Sequence, residues 1–483
     1  MSSIQRAHGG IFPDRLPRFN VPAELGISNR FIVLFWIIHI PLGPALYSLG
    51  PISLIHPAIV FLVGMYWAVR TSSPMHKVAL CVTYLVTTEV LWRMAKTPVF
   101  WEFGKYGSVV IIIVALAMRG AKRKPFLPLL YFLALVPSCL LTLAEYNLFD
   151  ARGHLSFNMS GPLSLTAFCL LFANTRMTPK QIMNLLLVGM APVISIATST
   201  LFYTISAEEI TFTTESNFAT SGGFGPNQVS SILGIGVFFA VAVLVLFKEQ
   251  NRLQKILVAA LAIFFAMQSV MTFSRSGIYN VIGALLVMLL FHFQNFVDGI
   301  KRIVPPLLLA GIFLLLVFPA LDKFTGGKLQ ERFEETGTTN RMEIIESDFA
   351  IFADNPVLGV GVGLSRRIRR EYAGFSAASH TEFSRIISEH GAFGLMALLC
   401  LLAAVFVNFR RQTSILGRAF VAGFAAWSSL YMLNAGMRLA APGFAIGITF
   451  LTIVYPRFPK VRRFAFPRRQ PPPITLEERS ASD

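Results

Sequence analysis

His380 and Arg275 are the residues whose types and surroundings best suit a chemical role. A histidine titrates near neutral pH, so His380 could take a proton from an attacking hydroxyl. Arg275 falls between two apolar runs, where a guanidinium is costly unless it is paired or faces a wet cavity. Taken singly, each has an ordinary interpretation, a surface histidine at a helix start and an arginine that anchors a helix end.

Further cations accompany these two residues. Arg341 and the cluster Arg366-Arg367-Ile368-Arg369-Arg370 precede His380, and although such a cluster is usually a solvated face, an enzyme that handles a diphosphate would need cations there. Glu89 and Arg93 stand four residues apart, so they can pair on one helix face. The pattern indicates either structural pairs or the lining of a polar cavity.

The rest of the chain predicts that a membrane positions these residues. Of 483 residues, 54% are hydrophobic and 14% are charged, against about 25% charged in soluble domains, which excludes a soluble protein. About 20 apolar residues cross a bilayer, and such runs recur throughout. The fourteen predicted spans are 31–48, 53–69, 77–94, 106–118, 128–147, 161–173, 181–203, 228–247, 255–272, 278–296, 303–320, 392–409, 419–436 and 443–455.

The distribution of Lys and Arg predicts the orientation. With the N-terminus inside, cytoplasmic segments hold 27 of the 42 Lys and Arg residues, against 6 outside once the long segment 321–391 is set aside. Both termini are therefore predicted to be cytoplasmic. The net charge of +17 then reflects topology and attraction to anionic lipid heads, and it does not indicate a nucleic-acid partner.

The chain is predicted to form one polytopic domain, 31–455, between a cytoplasmic arm, 1–30, and a basic, proline-rich cytoplasmic tail, 456–483. Two segments, 204–226 and 321–391, are too long to be turns, and on this topology both lie on the external side of the membrane.

The longer segment, 321–391, has the pattern of a structured and functional loop. An apolar stripe of Ile344, Ile345, Phe349 and Phe352 predicts a helix, the glycines of 359–363 predict a turn, and residues 383–387 predict a second amphipathic helix. No metal-ligand spacing and no nucleotide-binding glycine loop occurs, so no cofactor is predicted.

The order of motifs over residues 218–400 resembles the O-antigen ligase and polymerase superfamily, called WaaL and Wzy. The residues that carry the resemblance are Gly222-Gly223-Phe224-Gly225-Pro226-Asn227, Ser274-Arg275-Ser276-Gly277, Asn340-Arg341, Asn355-Pro356-Val357-Leu358-Gly359-Val360-Gly361, His380, and Glu389-His390-Gly391-Ala392-Phe393-Gly394.

The resemblance implies an inverting, metal-independent glycosyltransferase of the bacterial inner membrane, with an all-α architecture of about 14 spans related to the GT-C type. Its donor would be a glycan on undecaprenyl diphosphate, used at the periplasmic face. By position, Arg275 would bind the diphosphate and His380 would assist the acceptor. The predicted substrate-binding residues, for diphosphate or glycan, are Arg341, Arg93, Arg366, Arg367, Arg385 and Asn227.

One position departs from the family pattern. Ligases usually carry an arginine three residues before the glycine that matches Gly222, and here that position is Ala219. Another cation must replace it, and Arg341 and Arg93 are the candidates. The missing arginine and the fourteen spans, against twelve usual for ligases, favour a polymerase of lipid-linked repeat units.

Two alternatives stay open. A ligase would transfer the finished glycan to lipid A-core, and a transporter or flippase would show internal repeats and charged, broken mid-membrane helices. A polymerase would take a glycan or lipid-linked acceptor and would work beside a flippase and a chain-length regulator.

Overall fold

A computed structural model describes residues 27–248, 250–293, 296–335, 341–434 and 436–455, with the backbone alone over 296–302. The chain divides into Ala23–Val454, which holds every element below, and the two ends Met1–Pro22 and Tyr455–Asp483, of which only Tyr455 is described. Most of the predicted N-terminal arm, the predicted tail after Tyr455, and Asn340 of the Asn-Arg motif lie outside the described residues.

The described part of the chain is helical. Its α-helices are α1 Asn29–Ser48, α2 Gly50–Val69, α3 Met75–Met94, α4 Phe103–Arg119, α5 Phe126–Leu135, α6 Cys139–Glu145, α7 Leu148–Ala173, α8 Pro179–Ser206, α9 Pro226–Leu246, α10 Arg252–Met271, α11 Arg275–His292, α12 Phe296–Ile312, α13 Phe318–Phe324, α14 Lys328–Glu334, α15 Arg341–Asp354, α16 Ser365–Ala373, α17 Glu382–Arg411, α18 Ile415–Asn434 and α19 Ala441–Gly447. Short 3-10 turns form at Ala219–Ser221 and Ile448–Phe450, and a π turn, Phe313–Val317, joins α12 to α13.

Two short strands complete the secondary structure of the described residues. They are β1 Arg176–Met177 and β2 Thr452–Ile453, which pair in parallel.

Eleven helices among the described residues are long and apolar enough to cross a membrane, so the chain is a multi-pass membrane protein. Each of the fourteen predicted spans overlaps a helix, although span 443–455 also includes strand β2, and three miss this criterion. In α3 the apolar run contains Glu89, Arg93 and several threonines, α4 has 17 residues, and Ala441–Phe450 is short. The all-helical architecture is as predicted, and the count of fourteen stays a prediction.

The centre of the bundle consists of α8 and α9, whose apolar windows are 83% and 94% buried, whereas Ile303–Phe324 has none of its window buried and lies at the periphery. Helix α11 crosses α9 very closely. A Cβ on Gly277 would lie 2.2 Å from the carbonyl oxygen of Ser230, so only glycine fits there. This contact fixes the first turn of α11, which begins at Arg275.

Helices α14 to α16 lie at one end of the bundle, called here the loop end. The prediction of a structured segment between α13 and α17 agrees with these three helices, but the predicted apolar stripe of α15 was wrong in part. The buried positions are Ile344, Ser347, Asp348 and Ile351, and Phe349 is 51% exposed. The reason is that α15 packs through a polar face, whose buried Asp348 binds α16 and α17.

The predicted second amphipathic helix begins at Glu382 and runs into the next span, with a break at Gly391 (φ 59°, ψ −138°). The break removes the helical partners of two carbonyl groups, and the glycine turn supplies new ones. Val360 N donates to Ser388 O (3.1 Å), Gly361 N donates to Glu389 O (3.0 Å), and Ala392 N donates to Pro356 O (2.8 Å). The loop-end segment is thereby fixed to α17 by main-chain hydrogen bonds.

Candidate functional site

The turn between α10 and α11 presents Arg275 at the loop end. Phe273 has a positive φ of 56°, and the Ser274 hydroxyl donates to Asn227 Oδ1 at the start of α9 (2.7 Å). Arg275 itself is half-buried, and its guanidinium donates to the carbonyl oxygen of Glu335. Asn227 therefore positions the turn that carries Arg275.

Two further arginines approach this turn. Arg332 of α14 donates from Nε to the carbonyl oxygen of Phe273 (3.1 Å) and from Nη1 to Glu335 (2.9 Å). Burial lowers the pKa of Arg341, at the start of α15, and the positive charges of Arg275 and Arg332 lower this pKa further. Three guanidinium groups therefore act on one another at the loop end, an arrangement that suits a ligand with several negative charges.

His380 lies just before α17, whose N-cap Thr381 accepts a hydrogen bond from Ser384 N (3.0 Å). The ring is half-buried, and burial lowers the pKa of His380. The charges of Arg341, Arg438 and Arg369 lower it further, and Asp348 opposes them. A lowered pKa favours the neutral imidazole, the form that a general base requires.

A buried polar network holds the segment that carries His380. Asp348 and Arg369 form an ion pair with no exposed side-chain surface. Arg369 also binds Ser379 Oγ (2.7 Å), and Asp348 accepts from Ser384 Oγ (2.7 Å). The residues on both sides of His380 are thus fixed to α15 and α16.

The predicted pair of Glu89 and Arg93 is confirmed by a 2.6 Å contact between buried groups. Arg93 Nη1 also donates to Gln228 Oε1 and to the carbonyl oxygen of Arg438, both at 3.0 Å. Two of its nitrogens are therefore already bonded. The Arg93 guanidinium fixes the loop that contains Arg438.

Two buried carboxylates hold the same loop. Glu89 accepts from Ala440 N (2.7 Å), and Glu382 accepts from Met437 N (2.9 Å). Between these two anchors Arg438 is exposed. Because Glu382 follows His380 by two residues, this clamp brings Arg438 to the side of His380.

The remaining predicted residues have other partners. Arg385 is buried between Glu382 (2.5 Å) and Glu389 (2.6 Å). Arg367 pairs with Glu145 (2.5 Å) on the surface, beside a cleft of about 540 Å³ under α16 whose lining does not include His380. Arg366 is exposed. The structure therefore brings Arg275, Arg341 and His380 together and gives Arg366, Arg367 and Arg385 different surroundings.

Three residues of the site were not predicted, namely Arg332, Arg438 and Asp348. Arg438 could have been found from the sequence, because it is one of only six Lys and Arg residues assigned to the external side once segment 321–391 is set aside. Arg332 and Asp348 sit among other charged residues in the sequence, and no spacing distinguishes them.

In the described ranges, no three His, Cys, Asp or Glu side chains come together as metal ligands. Residues 260–399 match a family described as O-antigen ligase, Wzy_C. This match supports the resemblance to the O-antigen ligase and polymerase superfamily. No curated protein and no solved structure matches the chain. The matched segment contains Arg275, Arg332, Arg341 and His380, whereas Arg93, Asn227 and Arg438 lie outside it.

Proposed function

We propose that this protein is a bacterial inner-membrane glycosyltransferase that polymerises undecaprenyl-diphosphate-linked repeat units at the periplasmic face. The observation that carries the proposal is a group of arginines beside a half-buried histidine. Arg275 and Arg332 both bond to Glu335, and Arg341 interacts electrostatically with these two arginines and with His380. A lipid diphosphate needs cations to stabilise it as it leaves, and a sugar hydroxyl needs a base. The loop end supplies both.

In the proposed reaction, the acceptor hydroxyl oxygen attacks the anomeric carbon from the face opposite the diphosphate. The bond from that carbon to the phosphate oxygen breaks, and the electron pair leaves on the lipid diphosphate. His380 Nδ1 or Nε2 takes the hydroxyl proton, and the guanidinium groups stabilise the charge on the departing phosphate. Inversion at the anomeric carbon follows from the single displacement.

Arg438 is the cation that we assign to the role left open at Ala219. Of the two earlier candidates, Arg341 is part of the three-arginine group, whereas Arg93 is bonded to Glu89, Gln228 and the main chain of the 436–440 loop. Arg438 is exposed and is held by that loop beside His380. It can therefore contact an anion without breaking a described ion pair.

The ligase of lipid A-core is the second candidate within the same chemistry, and a flippase is a more distant one. A transfer assay with purified lipid-linked repeat units separates them. A polymerase elongates these units with no other acceptor, a ligase requires lipid A-core, and a flippase forms no new glycosidic bond. Co-purification with a flippase and a chain-length regulator would support the polymerase.

The first test of the mechanism is the exchange of His380. His380→Ala should lose on the order of 10² to 10⁴ in turnover, because a positioned base contributes that much. Binding of the lipid-linked donor should persist, since its phosphate contacts belong to arginines. His380→Gln is the matched variant, because an amide can donate a hydrogen bond but cannot act as a base near neutral pH. Near-normal turnover of His380→Gln would reject the base assignment.

A further inference from the structure

A second cavity, of about 150 Å³, lies at the loop end between α3 and α4. Its lining includes Glu89, Arg93, Lys96, Thr97 and Trp101. At about 30 Å³ per water molecule, it holds roughly five waters, the volume of a single sugar ring rather than of an oligosaccharide. The proposed mechanism gives this cavity no role.

Two buried polar groups at this cavity lack a protein partner in the described part of the chain. They are Arg93 Nε and the Thr97 hydroxyl. The Arg93 side chain is 4% exposed, and Thr97 is 7% exposed. Buried polar groups in proteins are nearly always hydrogen-bonded, so the donor and the hydroxyl of these two lining residues are bonding positions that the described residues leave unfilled.

Aromatic rings form the wall of the cavity. Trp101 is 49% exposed, and its ring centroid lies 4.9 Å from the Arg93 guanidinium carbon. Phe100, also in the lining, is 55% exposed. An open ring face beside fixed polar groups is the combination that binds sugars, because the C–H face of the sugar stacks on the ring while its hydroxyls bond to the polar groups.

The backbone at the cavity mouth is in an unusual conformation. Lys96 has a φ of 50°, a left-handed value that non-glycine residues rarely adopt. Thr97 N donates to Trp92 O (2.9 Å), and this turn places Thr97 inside and leaves Lys96 exposed. Strained residues that the surrounding structure maintains tend to occur at binding sites.

The cavity adjoins the candidate catalytic site. The Trp101 ring lies 5.9 Å from the Phe224 ring, which precedes the Asn227 that holds the Arg275 turn. Arg93 contributes to this cavity and also binds the loop that carries Arg438. Two chains of contacts, through Phe224 and through Arg93, therefore link the cavity to the candidate catalytic site.

We propose that this cavity is a saccharide subsite that binds one sugar ring of the glycan substrate. The ring stacks on Trp101, and its hydroxyl or carboxylate oxygens bond to Arg93 Nε and Thr97 Oγ1. The proposal rests on the proposed glycosyltransferase function, and it adds the point at which the enzyme recognises the sugar instead of the phosphate.

The test measures binding of the free repeat-unit oligosaccharide, released by mild acid from the lipid diphosphate, to the full chain in nanodiscs. Because the probe has no phosphate, its affinity reports the glycan contacts alone. Trp101→Leu should raise the dissociation constant about tenfold, since the stacking face is lost. Thr97→Val keeps the side-chain shape and removes the hydroxyl, so it should raise the constant several-fold. Trp67→Leu, at the opposite end of α2 from the loop end, is the matched control and should bind as the wild type does.

The outcomes separate the subsite from the proposed function. Equal binding by wild type, Trp101→Leu and Thr97→Val, or no binding by wild type, overturns the subsite. If the wild type binds the oligosaccharide, Trp101→Leu does not, and no variant forms a glycosidic bond, then the subsite stands and the transferase function fails. An unchanged KM for the lipid-linked donor in Trp101→Leu would also count against the subsite.

Discussion

At the residue scale, hydrogen bonds fix the main chain around Arg438, whereas the residue itself is exposed. Exchange to glutamine should raise the KM for the lipid-linked donor about tenfold or more, because a charge-assisted contact to phosphate is lost. Arg438→Lys should recover only part of this, since an ammonium cannot make two parallel hydrogen bonds to phosphate. Kinetics with purified donor measure both changes. Arg370→Gln, at an exposed position of α16, is the matched control and should leave KM unchanged.

Arg438→Gln should also change the pH dependence of activity. Burial and neighbouring arginines lower the pKa of His380, so its neutral form persists to lower pH than for a free histidine. Activity should fall as the pH drops through that pKa, because the base becomes protonated. Removal of the Arg438 charge raises the pKa of His380, so the acidic limb of kcat/KM should move to higher pH in Arg438→Gln. A limb that stays in place would show that Arg438 does not face His380.

Residue type and local spacing predicted part of the site. Arg275 and His380 are exceptional in their own segments, and the pairing of Glu89 with Arg93 follows from a four-residue helical spacing. That Arg93 binds the main chain of Arg438, 345 residues away, depends on how α3 packs against the turn before α19. No local pattern records such a contact.

At the element scale, the main chains of Gly359 and Gly391 are in close contact, and this contact joins the loop end to the long span α17. A Cβ on Gly391 would lie 2.6 Å from Gly359 N, and the φ and ψ of Gly391 are accessible to glycine alone. Gly391→Ala should therefore lower the free energy of unfolding by about 3 kcal/mol or more. Gly374→Ala also places alanine at a positive φ but meets nothing within 4 Å, so it should cost about 1–2 kcal/mol. Denaturation in detergent compares the two, and equal losses would show that the backbone contact is unimportant.

The fully buried pair of Asp348 and Arg369 ties together α15, α16 and α17. Asp348→Ala leaves a buried guanidinium unpaired and should cost about 3–5 kcal/mol of unfolding free energy. Glu145→Ala breaks the exposed pair with Arg367 and should cost about 0–1 kcal/mol. Exchange of both buried partners, Asp348→Leu with Arg369→Met, should recover much of the loss because no charge then stays unpaired. A small loss in Asp348→Ala alone would contradict this account.

The positions of the helices were easier to predict than which side of each helix is buried. Every predicted span overlaps a helix, because apolar length is a strong signal. The buried face of α15 was missed because its central side chain, Asp348, is charged, and apolar periodicity cannot reveal a helix that packs through a carboxylate.

The orientation of the whole molecule is a prediction from its Lys and Arg distribution. Reporter fusions after Gly374, at the loop end, should be active in the periplasm, and fusions after Gln412 or after Gly120 should be active in the cytoplasm. Glu89, Glu382 and the 436–440 loop meet at one end of the bundle, so that end must face one compartment. A periplasmic signal from the Gln412 fusion would reverse the orientation and with it the side of catalysis.

The clamp on the 436–440 loop has a consequence for biosynthesis. Arg93 leaves the ribosome 345 residues before the carbonyl group that it will bind. At about 5–20 residues per second, that interval is roughly 20–70 s. Throughout it Glu89 and Arg93 have been translated, while Arg438 has not. In the proposed mechanism, a nascent or stalled chain therefore lacks the complete set of cations for the lipid-linked donor, and transfer requires that translation has passed Arg438.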